Sequence, residues 1–123
     1  MSLADILDTV LPVTVEADGA LTVSYQGTVA SLRTVPIAEG LEVVSLTQML
    51  AWDLPCTPEL RERVAAEAAR AMFGTVTMSE NAPGRADVML RYNFPAAVEP
   101  PALRILVPLV LAGGAETAVT LRD

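Results

Sequence analysis

Between Val13 and Thr47 the chain runs through four β-branched or apolar stretches separated by turns of a few residues. Parallel strands need a crossover of about a dozen residues or more, so stretches this close together pair antiparallel. In the first, Val13 to Ala17, Val13 and Val15 alternate with Thr14 and Glu16. Asp18-Gly19 follows, a pair that tolerates the positive φ angles of a type I′ hairpin. Leu21, Val23 and Tyr25 then alternate with Thr22 and Ser24, and Gln26-Gly27 marks a second tight turn. Thr28 to Val35 reads as a third strand, Pro36 to Gly40 as a turn region and Leu41 to Thr47 as a fourth strand. Gln48 to Cys56 shows no clear period and reads as irregular, or as a short turn of helix.

Helical patterns flank and interrupt this β region. Leu3, Ile6, Leu7 and Val10 recur at helical spacing, with Ser2 as cap and Pro12 as stop. Thr57-Pro58-Glu59 opens a helix to about Met72, with a cap, a proline at the first helical position and an acid behind it. Its apolar face is Leu60, Val64, Ala68, Ala71 and Met72, while Arg61, Glu62, Glu67 and Arg70 fall mainly on the other side. Gly74 ends it. Thr75 to Ser79 and Ala86 to Phe94 are two further strands around a polar loop, and Val88, Leu90, Tyr92 and Phe94 share one face. Pro101 opens a last helix to about Ala112, with Leu103, Leu106, Val107 and Val110 as its core face. That helix is apolar nearly all round, which implies burial on several sides. Pro108 is expected to kink or shorten it and Gly113-Gly114 to end it, leaving 115–123 as a frayed helix or short strand. The fold class is therefore α+β in a single domain, 1–123, with helices packed on a largely antiparallel sheet in the order α-β-β-β-β-α-β-β-α.

The side-chain inventory restricts the chemistry. The chain has no histidine and one cysteine, and all of its basic residues are arginine. Zinc and soft-metal sites need those ligands, and the acids follow no calcium-loop spacing, so no metal and no cofactor is expected. Neither Cys56 nor any serine has a histidine or lysine to activate it. Cys56 precedes a helix N-terminus, yet a structural role is the simpler reading. Carboxylates distant in sequence can meet in a fold, but no spacing here supports a paired-acid mechanism. An enzyme is not expected.

A net charge of −7 repels phosphate backbones and anionic lipid, so neither nucleic acid nor membrane is an expected partner. No basic segment precedes an apolar leader, and the apolar run Ile105 to Ala112 is too short to cross a bilayer. A cytoplasmic location is the expectation. Hydrophobic residues nevertheless make up 52% of the chain. That surplus implies a large core or an apolar surface kept for a partner. Trp52, the one tryptophan, reads either as a core plug or a lid over the helix–sheet junction, or as an exposed interface anchor.

Two stretches carry a family resemblance. One comprises Val43-Val44-Ser45-Leu46, the break at Asp53-Leu54-Pro55 and the helix from Thr57 to Met72. The other comprises Phe73-Gly74-Thr75-Val76-Thr77-Met78 and the strand ending Leu90-Arg91-Tyr92-Asn93-Phe94-Pro95. In this order, with the Asp18-Gly19 hairpin and the terminal helix, the chain resembles the YbjN-type domain, similar in fold to type III secretion chaperones. It departs from that pattern in the alanines at 65, 66, 68 and 69 and in a final helix interrupted at Pro108 and Gly113-Gly114. The resemblance implies a non-enzymatic protein that dimerises and binds other polypeptides along apolar surface. The expected partners are a second copy and an unidentified polypeptide, with Trp52, Leu103, Leu106, Val107 and Val110 as candidate interface. The alternative is a small-molecule-binding domain with a pocket between the sheet and the C-terminal helix.

Overall fold

The computed structural model describes residues 1–122. The elements run α1 (Leu3–Leu7), β1 (Val13–Val15), β2 (Leu21–Tyr25), β3 (Thr28–Ala38), β4 (Leu41–Pro55), α2 (Pro58–Arg70), β5 (Thr75–Ala82), β6 (Arg85–Pro95) and α3 (Pro100–Arg122). This is the predicted α+β order. All strands pair antiparallel in one six-stranded sheet, in the spatial order β1-β2-β3-β4-β6-β5.

The period of two in each strand builds the core. Leu21 and Val23, Ala30 and Leu32, Val44 and Leu46, and Val88, Leu90 and Phe94 bury on one face. The helices cover that face. On the other, Ser31, Ser45, Thr47, Thr77, Met49 and Met89 are only half-buried, and no helix among the described residues covers them. An antiparallel sheet tolerates such one-sided solvation because its strands alternate apolar and polar residues. Beyond Arg33 and Val43 the β3–β4 hairpin outruns β2 and β6 and stands as a two-stranded arm bearing exposed Val35, Ile37 and Leu41.

Several stretches depart from the sequence reading: α1 already ends at Leu7 and leaves Val10 exposed, and β3 runs to Ala38 through the expected turn region. The segment Gln48 to Cys56 is not irregular: β4 runs unbroken through it to Pro55. Its period is obscured by register shifts against β6 between Met49 and Ala51 and again between Ala51 and Leu54. Each shift adds a residue to one strand and inverts the alternation beyond it. The expected loop Glu80 to Arg85 narrows to a turn at Pro83-Gly84, because β5 extends to Ala82. The last helix does not end at Ala112. It passes Pro108, Gly113 and Gly114 and reaches Arg122, so residues 115–122 are helix and Asp123 lies outside the described residues. A proline and two glycines cost a helix interior roughly 5 kcal/mol together. Burying Leu103, Val107, Val110, Leu111 and Leu121 returns about 1.5–3 kcal/mol for each. Tertiary burial therefore outweighs local propensity.

One polar side chain fixes α3 on the sheet. Gln48 of β4 is fully buried. Its Nε2 donates to Thr28 Oγ1 at 2.8 Å and to the Leu111 carbonyl of α3 at 3.0 Å. Thr28 in turn donates to the Tyr25 carbonyl at 2.6 Å. The Leu111 carbonyl sets the amide orientation, because a flipped amide would bring two oxygens together. Gln48 Oε1 then rests against Gly114 without a hydrogen-bond partner, and a Cβ on Gly114 would collide with it. A glycine at 114 is what lets the helix backbone approach a buried amide.

Candidate functional site

The five candidate interface residues separate into two groups. Leu103, Val107 and Val110 are 2%, 0% and 1% exposed and belong to the core between α3 and the sheet. Within one chain they already pack against the sheet. Leu106 is half-buried and packs on the edge of the same core. Trp52 is 50% exposed, which removes the core-plug alternative. The sequence missed the outward side of α3. Ile105 and Leu109, one turn apart, are 65% and 51% exposed, with Pro101 below them and half-buried Pro108 and Ala112 alongside. The signal was the all-round apolarity of the helix, read there as burial on several sides.

Trp52 stands beside a second local feature. Asp53 has a φ of +53°, unusual for a residue with a Cβ. Arg85 Nε donates to Asp53 Oδ1 at 3.0 Å, a second guanidinium nitrogen donates to the Asp53 carbonyl, and the Asp53 amide donates to Asp87 Oδ1 at 2.9 Å. The Arg85 hydrogen bond, then its charge, holds the Asp53 carboxyl below the usual aspartate range, and the hydrogen bond to Asp53 raises the Arg85 guanidinium. Asp18 is likewise lowered, first by the backbone N–H of Ala20 and then by Arg33. These groups brace exposed turns and do not converge on a cleft.

A cleft of about 360 Å³ opens between the end of α2, strand β6 and α3. Its apolar wall includes Phe73, Leu90 and Val110, and Glu67, Arg70 and Glu116 line it as well. Glu67 is the surprise. The sequence reading put it mainly on the solvent side of α2, but Leu60, Val64 and Glu67 are the three buried residues of that helix, and Glu67 is 6% exposed. Met72, expected inside, is 86% exposed. The inward stripe follows positions 60, 64, 67 and 71, and an acid occupies its third place.

Among the described residues no three His, Cys, Asp or Glu side chains form a group able to hold a metal ion. Cys56 is a half-buried free thiol, and Arg61 Nη2 lies 3.2 Å from its sulfur. By length and composition α3 is apolar enough to cross a membrane, which the shorter run Ile105 to Ala112 is not; its inner face is buried against the sheet. Compared with known proteins, the chain matches no family model, no curated protein and no solved structure.

Proposed function

We propose that this chain is a non-enzymatic protein-binding module of the YbjN and secretion-chaperone kind, cytoplasmic and acting as a homodimer. The observation that carries the reading is the outward stripe of α3. Ile105 and Leu109 are exposed on a helix whose opposite side is already filled. Arg104 is the only charged side chain between Glu99 and Glu116. A surface so poor in charge on an acidic protein is where a second chain can approach with least repulsion. Neither nucleic acid nor membrane is part of this proposal.

Size exclusion with light scattering tests it. The wild-type chain is expected to elute as a dimer at tens of micromolar, and Ile105→Glu with Leu109→Glu as a folded monomer with unchanged far-UV circular dichroism. A wild-type monomer, or a double variant that stays dimeric, would reject this stripe as the dimer contact.

A second reading, a small-molecule-binding domain, is favoured by the cleft between the sheet and α3, where apolar walls meet a buried carboxylate.

A further inference from the structure

The cleft holds a buried carboxyl group that the protein partners only from its solvent side. Glu67 is 6% exposed, and its ionic partner among the described residues, Arg70, has a side chain 70% exposed to solvent. Arg70 pairs with Glu67 Oε2 from the solvent side. An ion pair with one member in water is weak, while a carboxylate removed from water carries a large desolvation cost. Glu67 also sits in the last turn of α2, where the helix dipole opposes an acid and favours a cation. Glu116 adds a second negative charge at the rim. Phe73, Leu90 and Val110 give the cleft an apolar wall, and Thr117 and Thr120 line the α3 side beside Glu116. Gly113 keeps the α3 side open, since a Cβ there would meet nothing within 4 Å.

We infer that this cleft binds an organic cation, a guanidinium or ammonium group carried on an apolar stem, with Glu67 holding the charge. The stem covers Phe73, Leu90 and Val110, and Glu116 screens the open side. Arg70 is then a tethered competitor: its guanidinium occupies the carboxylate in the free protein and swings into solvent when the ligand enters. The inference rests on the ligand-binding reading of the cleft and is independent of the dimer. The same chemistry is offered by a free amine and by an arginine or lysine side chain of a polypeptide.

Titrations of the full chain followed by amide NMR shifts at Phe73 and Gly113 separate these cases. The probes are phenethylamine, its neutral isostere 2-phenylethanol, and a blocked pentapeptide with a central arginine. Phenethylamine is expected to bind, with the alcohol at least about tenfold weaker and Glu67→Gln weakening the amine by a similar factor. Arg70→Ala is expected to tighten amine binding by about threefold, which an apolar pocket indifferent to charge would not show. Should Glu67→Gln fail to fold, Gly113→Leu fills the cleft from the solvent side and must abolish the shift at Phe73. Peptide binding at the same amides assigns the site to a polypeptide's basic side chain, and its absence beside amine binding assigns it to a free cation. Equal binding of amine and alcohol overturns the cation assignment but keeps the pocket. No shift at Phe73 or Gly113 with any probe overturns both.

Discussion

Two aspartates show how differently a single residue can be held. Asp53 is lowered chiefly by Arg85, whereas Asp18 is lowered first by the Ala20 amide, which donates to it at 3.1 Å, and only then by Arg33. Both carboxyls are depressed in the folded state. Their stabilising effect is therefore present above the ordinary aspartate pKa and fades as pH falls through the folded value, in the acid range below about pH 4. Arg85→Ala should return Asp53 to the ordinary range, while Arg33→Ala should move Asp18 less, because its amide partner survives. Carboxyl titration by carbon-13 NMR reads both, and a larger shift at Asp18 would mean that Arg33, not the Ala20 amide, is its main support. In the sequence, Asp53-Leu54-Pro55 reads as a break in the chain. Asp53 in fact sits at a register shift within β4, and nothing in the periodicity of that strand distinguishes the two.

At the scale of an element, α3 separates what propensity says from what packing decides. Neighbouring glycines at 113 and 114 read as a stop signal because each lowers helix propensity. Their surroundings differ sharply. Gly113 faces open space, and Gly114 faces the buried Gln48 amide. Gly113→Ala is expected to stabilise the protein by about 0.5–1 kcal/mol. Gly114→Ala is expected to cost about 1–3 kcal/mol, because Gln48 must give up its bonds to Thr28 and Leu111. In a Gln48→Ala background that cost should largely vanish. Urea unfolding of the four variants gives the cycle, and additive effects would show that the amide and the glycine do not meet. The apolar pattern of the helix was legible, as were Leu103, Val107 and Val110 as its inner side. Its length was not, because the sheet that supports residues 115–122 is made elsewhere in the chain. Glu67 was misplaced for a related reason: an acid was assigned to water by its type, although its spacing from Leu60 and Val64 placed it inward.

For the whole molecule, element order was readable from turns and periods, and strand order was not. Turn chemistry fixes which neighbours in sequence pair, so β1 to β4 and the β5–β6 hairpin were predictable. Nothing local says that β6 rather than β5 lies against β4. The sheet is consequently a four-stranded meander and a hairpin joined along one long ladder, from Val43 opposite Pro95 to Pro55 opposite Arg85. A chain cut between Cys56 and Thr57 is expected to reassemble from its two pieces, because each piece keeps its own turns and α3 brings Leu111 back to Gln48. Mixing the separate pieces should restore the native circular dichroism. Pieces that remain unfolded together would show that the ladder cannot form without the covalent link.

That ladder also orders events at the ribosome. The first meander is complete once Pro55 has emerged, yet the β4 edge that will receive β6 stays bare while Cys56 to Gly84 are made. For that interval a long unpaired edge is the most adhesive part of the nascent chain, and the arrival of β6 closes it.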